Sequence, residues 1–146
     1  MQLFTTFGLA TALILSSGTA HLALPVAQAE TLQIAQATPQ SSQFVTVDRS
    51  HRTTGIARIV TENGQQYLEF DQQFSTARGP DVEVILYRDR TVPAAIAESD
   101  YVTLAQLQRV RGAQRYAIPD NISLDNYGSV GIWCRTFNIT FGYASL

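Results

Sequence analysis

Past residue 29 the chain keeps one cysteine, Cys134, one histidine, His51, and one tryptophan, Trp133, because His21 and Met1 both lie before that point. This scarcity limits the chemistry. Structural zinc takes four Cys or His ligands, catalytic zinc usually three drawn from His, Cys and acids, and blue copper two His with a Cys. One residue of each kind does not supply them. Covalent attachment of a c-type haem needs Cys-x-x-Cys-His, and an internal disulfide needs a second cysteine. The twelve acids are scattered and show no EF-hand spacing, so no metal is expected. A hydrolytic triad around His51 would lack a Gly-x-Ser-x-Gly elbow. The thiol of Cys134 remains, either as a redox group or as a small buried hydrophobe, free cysteine being among the most buried residue types.

The elements that must position these residues begin with an export signal. Residues 3–15 form an apolar run, and Ala27-Gln28-Ala29 supplies the small-x-small pattern of a cleavage site, so residues 1–29 read as a signal peptide cut before Glu30. The run is shorter than the ~18–20 apolar residues of a membrane span. Secretion, or release into a periplasm, is the expected location. Residues 30–50, rich in Gln, Ser, Thr and Ala and poor in bulky apolar side chains before Phe44, read as a flexible linker. Residues 51–146 are left as one folded domain. Ten arginines, twelve acids and no basic run give a net charge of −2, which excludes nucleic acid as a partner.

Within 51–146 the pattern is that of strands. Ile56–Val60, Tyr67–Phe70, Val82–Tyr87, Arg115–Ile118, Val130–Cys134 and Phe137–Phe141 are short β-branched or aromatic runs. Asn63-Gly64 marks a hairpin, and Gly79-Pro80-Asp81 and Pro119-Asp120-Asn121 mark further turns. Leu104–Val110 reads as a loop or a two-turn helix. The predicted fold is all-β, an antiparallel β-sandwich in a single domain. Asp81 is expected to organise a turn through backbone amides, and Trp133 to be a core residue or an electron relay. Asn121-Ile122-Ser123 and Asn138-Ile139-Thr140 match the glycosylation pattern, the second inside a predicted strand.

Strand parity sets the environment of Cys134. An unbroken strand from Trp133 to Tyr143 would point Cys134 away from Trp133, Phe137 and Phe141 and leave the thiol accessible, but would also place Arg135 on the core face. A bulge near Arg135-Thr136 would instead put Val130, Ile132 and Cys134 on the face of Phe137 and Phe141, and is the preferred reading.

Gly79-Pro80-Asp81-Val82-Glu83-Val84, Gly112–Pro119 and the long terminal stretch Ser129–Leu146, with Trp133-Cys134 at its centre, closely resemble the DM13 domain, from about Gly55 to the last residue. The resemblance implies an extracytoplasmic β-sandwich proposed to take part in electron transfer or thiol redox exchange, with Cys134 as its suspected redox group. It also brings the suggestion of a haem held by that cysteine. His51 is the single imidazole available as a second ligand, at the expected start of the domain, so no cofactor is assigned. The partner implied is a separate redox or cell-surface protein. The alternative is a non-enzymatic binding or structural module in which Cys134 fills the core and loops 76–81 and 119–128 carry the function.

Overall fold

Alternation along the chain becomes nine strands among residues 40–146, the part of the protein that this computed structural model describes. The expected signal peptide, 1–29, and residues 30–39 of the expected linker lie outside the described residues. In chain order the strands are β1 Ser41–Gln43, β2 Val45–Thr46, β3 Ile56–Glu62, β4 Gln65–Phe70, β5 Val82–Tyr87, β6 Tyr101–Gln106, β7 Gln114–Ala117, β8 Ser129–Cys134 and β9 Ile139–Ser145. They form a four-stranded sheet in the order β1-β3-β4-β7 and a five-stranded sheet in the order β2-β9-β8-β5-β6, with every pairing antiparallel. Two such sheets enclosing one core make a β-sandwich, as the sequence predicts.

The main core lies between the sheets. Ala57, Leu68, Phe70 and Tyr116 come from the four-stranded sheet; Val82, Val84, Leu86, Val130, Ile132, Cys134, Phe141 and Ala144 come from the five-stranded one. Phe44, between β1 and β2, marks where the chain passes from one sheet to the other. It meets Phe70 edge-on at 5.2 Å and Phe74 at 5.4 Å. Burying an aromatic side chain of this kind contributes about 2–3 kcal/mol. Residues 41–50 are therefore part of the domain, and the expected linker ends about ten residues too late. Its polar composition concealed two short edge strands, because one buried phenylalanine is enough to anchor them.

The other face of the five-stranded sheet carries a second, smaller core. Ile85, Tyr87 and Trp133 pack there under Val92 and Ile96 of the β5–β6 connection, with Tyr101 and Tyr143 alongside. Strands β5 and β8 are consequently buried at every position, which is why both read as continuous runs.

The β3–β4 hairpin closes as expected, with Asn63 at φ 51° and Gly64 at φ 82°, the pair of positive angles that an Asn-Gly turn adopts readily. Two expectations fail. Leu104–Val110 is neither loop nor helix at its start, since Leu104–Gln106 completes β6 beside β5; its three-residue apolar spacing arises from one face of a strand followed by a loop. The predicted strand from Phe137 also begins too early. Arg135–Asn138 is the β8–β9 turn, Asn138 takes φ 50°, and Phe137 is 65% exposed. Among the described residues no helix is long and apolar enough to cross a membrane.

Candidate functional site

Cys134 is the last residue of β8, opposite Val82 of β5 and Ile139 of β9. Its side chain points into the main core beside Val130 and Ile132, and the residue is 1% exposed. Cys134 faces the core as expected, together with Phe141 but not with Phe137, and not through a bulge at Arg135-Thr136. The bulge lies in β9, where Ile132 pairs with Gly142 and Trp133 with Thr140, leaving Phe141 as the extra residue. The chain turns at Arg135-Thr136, so Phe141 shares the core with Cys134 whereas Phe137 does not.

The cover over the thiol is thin. A Cβ added at Gly79 would stand 3.5 Å from Cys134 Sγ, 3.3 Å from Phe141 Cζ and 2.8 Å from Val82 Cγ2, yet Gly79 itself is exposed, as are Arg78 and Pro80. Glycine allows this close approach because there is no side chain to accommodate. Beside the same loop lies a cleft of about 480 Å³ lined by Thr76, Ala77, Arg78, Val110 and Arg111.

His51 is held from two sides. It ends a 3₁₀ turn, Arg49–His51, capped by Asp48, whose Oδ1 accepts from the Ser50 N–H at 2.9 Å. Its Nδ1 lies 2.7 Å from Asp48 Oδ2, and its ring stacks on Phe141 at 4.3 Å and 6°. The hydrogen bond to His51 holds the Asp48 carboxyl below the usual carboxylate range. Phe141 thus touches the imidazole and reaches, with Cys134, the underside of Gly79. A haem ligated by Cys134 would need a planar void at Sγ. Cys134 is instead 1% exposed and packed into the main core beneath Gly79, so the residues present do not fit that group.

Asp81 does not bond backbone amides through its carboxylate. Oδ1 accepts from Gln106 Nε2 at 2.9 Å, and it is the Asp81 carbonyl that accepts from the Arg135 N–H. Trp133 is 4% exposed and lies in the smaller core, its Nε1–H donating to Asn138 Oδ1 at 3.0 Å and its ring 4.9 Å from that of Tyr101. Asn138 also exchanges hydrogen bonds with both backbone groups of Ile96, so its amide, at a turn rather than in a strand, ties the covering loop down.

One charged residue escaped the sequence reading. Glu83, paired with Trp133 across β5 and β8, is 2% exposed. A buried carboxylate is tolerated only when hydrogen-bonded or paired. Thr103 Oγ1 donates to it at 2.7 Å and Gln106 Nε2 at 3.2 Å, with Arg135 Nη1 at 3.6 Å. Glu83, and after it the Tyr101 hydroxyl, hold the Arg135 pKa above its ordinary value. The signal was present as a lone acid between Val82 and Val84. Among the described residues no group of three His, Cys, Asp or Glu stands close enough to hold a metal ion.

No curated protein and no solved structure matches the chain. A protein-family model does, the one described as Electron transfer DM13, over residues 43–146. That span begins where β1 ends and takes in β2 to β9, including the Gly79 loop and the Trp133-Cys134 strand. The chain belongs to the DM13 family of electron-transfer domains.

Proposed function

We propose that this domain is an exported electron-transfer module whose redox group is Cys134, reached when the Ala77–Pro80 segment lifts away. The observation that carries this reading is the exposed Gly79 directly above a buried Sγ. Displacing one loop, rather than opening the sandwich, uncovers the sulfur, and surface loops open at far lower free energy than core strands. Once uncovered, the Cys134 thiol gives its proton to water and the thiolate attacks one sulfur of a disulfide on a separate redox protein. A new S–S bond forms as the partner's breaks, and the partner's other sulfur leaves as a thiolate. The leader at 1–29 supports export, which an intact mass starting at Glu30 tests. The close packing around Sγ supports a module without haem, tested by the absence of a Soret band.

The decisive experiment is the labelling rate of native Cys134 against urea. Local lifting gives a rate that stays flat at low urea. Global opening gives a rate rising with the full unfolding slope, about 1–3 kcal/mol per molar for a small domain. The second result would overturn the thiol reading and favour the alternative, a binding module with a structural cysteine. That alternative has its own support in an open cleft of about 580 Å³ on the four-stranded sheet, lined by Arg58, Asp71, Gln108 and Gln114 among others.

A further inference from the structure

The thiol faces the main core, but its neighbour Trp133 faces the other way, into the small aromatic cluster under the β5–β6 connection. Tyr101 is half-buried at the rim of that cluster, with its ring 4.9 Å from the indole. Glu83 stands directly opposite Trp133 across the sheet, and opposed side chains on neighbouring strands start only about 5 Å apart at Cβ. Its buried negative charge is incompletely neutralised, since its guanidinium partner Arg135 is 3.6 Å away and 56% exposed. A negative charge at that distance, screened less than in water, favours a positive charge on the indole.

We propose that Trp133 and Tyr101 form a one-electron donor site on the outer face of the five-stranded sheet, serving a high-potential, metal-centred one-electron oxidant. The site goes beyond the Cys134 reading and is independent of it. The oxidant gains one electron and the aromatic pair loses one. A hole on Trp133 stays a radical cation, because the acceptor of its N–H is the amide oxygen of Asn138, which does not take up a proton at neutral pH. Tyr101 then refills the indole. Its phenol proton leaves to water, the guanidinium of Arg135 having no acceptor capacity, and the hole rests as a neutral phenoxyl radical at the surface. Glu83 is the positioning charge that makes the indole step easier.

The test is flash photolysis of the purified protein with photogenerated ruthenium(III) tris(bipyridine), read by transient absorption and electron paramagnetic resonance. Wild type should give a phenoxyl radical. Tyr101→Phe, which removes one hydroxyl from a half-exposed ring, should lose most of that signal and leave an indolyl radical. Glu83→Gln keeps the hydrogen-bonding shape and should slow oxidation on the order of tenfold, the effect of removing one nearby charge from partly desolvated surroundings. Cys134→Ser should leave the radical yield unchanged. An unaltered phenoxyl signal in Tyr101→Phe, or an unaltered rate in a folded Glu83→Gln, overturns the proposal. Loss of the radical in Cys134→Ser also overturns it while leaving the thiol reading standing. Should Glu83→Gln fail to fold, Tyr101→Phe decides alone.

Discussion

Replacing Cys134 by serine tests the packing on which every reading of the thiol depends. Cys134 is 1% exposed within the apolar main core, with its sulfur close beneath Gly79. The new hydroxyl would meet an apolar wall without a partner. Burying an unpaired hydroxyl costs about 1–3 kcal/mol. For a domain of roughly 100 residues each kcal/mol lowers Tm by about 4–8 °C, so a fall on the order of 5–20 °C is expected. Cys134→Ala is the control. It removes the sulfur without adding a polar group, and its smaller cost, about 1 kcal/mol for a cavity near the size of a methyl group, should place it between wild type and serine. Urea unfolding with a shared slope gives the order directly. A serine variant as stable as wild type, within about 0.5 kcal/mol, would mean that the side chain does not sit where the β9 bulge and the Gly79 loop put it.

Other substitutions probe the same architecture. Thr140 Oγ1 is buried without a hydrogen-bond partner, so Thr140→Val should stabilise the domain by about 0.5–2 kcal/mol in urea unfolding. Gly131→Ala would place a methyl 2.9 Å from Ile85 Cγ1 and 3.2 Å from Cδ1 in the fully buried sheet centre; overpacking of this kind should cost about 1–3 kcal/mol. Asp48, held by His51, and Glu62, held by Arg115, both titrate below their ordinary values. A carboxylate depressed in the folded state adds stability that is present above its unfolded pKa and lost as pH falls through the folded one. The acid limb of the stability curve should therefore flatten in Asp48→Asn and Arg115→Gln, most clearly at low salt, as denaturant midpoints across an acid pH series will read.

Local residue patterns set the class of fold and the chemistry open to it. Six apolar runs with turn residues between them left an all-β sandwich as the packing that buries them. One cysteine and one histidine left a thiol, and the Gly79, Gly112–Pro119 and Ser129–Leu146 motifs carried the family resemblance. These are local signals, written in neighbouring residues, and they survive without knowledge of what packs on what. Tertiary structure alone decided the surroundings of each side chain. Whether Cys134 faced solvent or core turned on where one extra residue entered the β8–β9 pairing, and a bulge at Phe141 answers to contacts across both sheets rather than to its own neighbours. Phe44 pulled a polar stretch into two edge strands, because burial against Phe70 and Phe74, far along the chain, outweighed local composition. His51 was fixed by a ring 90 positions later. Glu83 became notable only when folding put it opposite Trp133 in a second core whose covering loop, Val92 to Ile96, carries no strand pattern. Long-range contacts of this kind leave little trace in any single segment, since each needs only shape and polarity that several residue types supply.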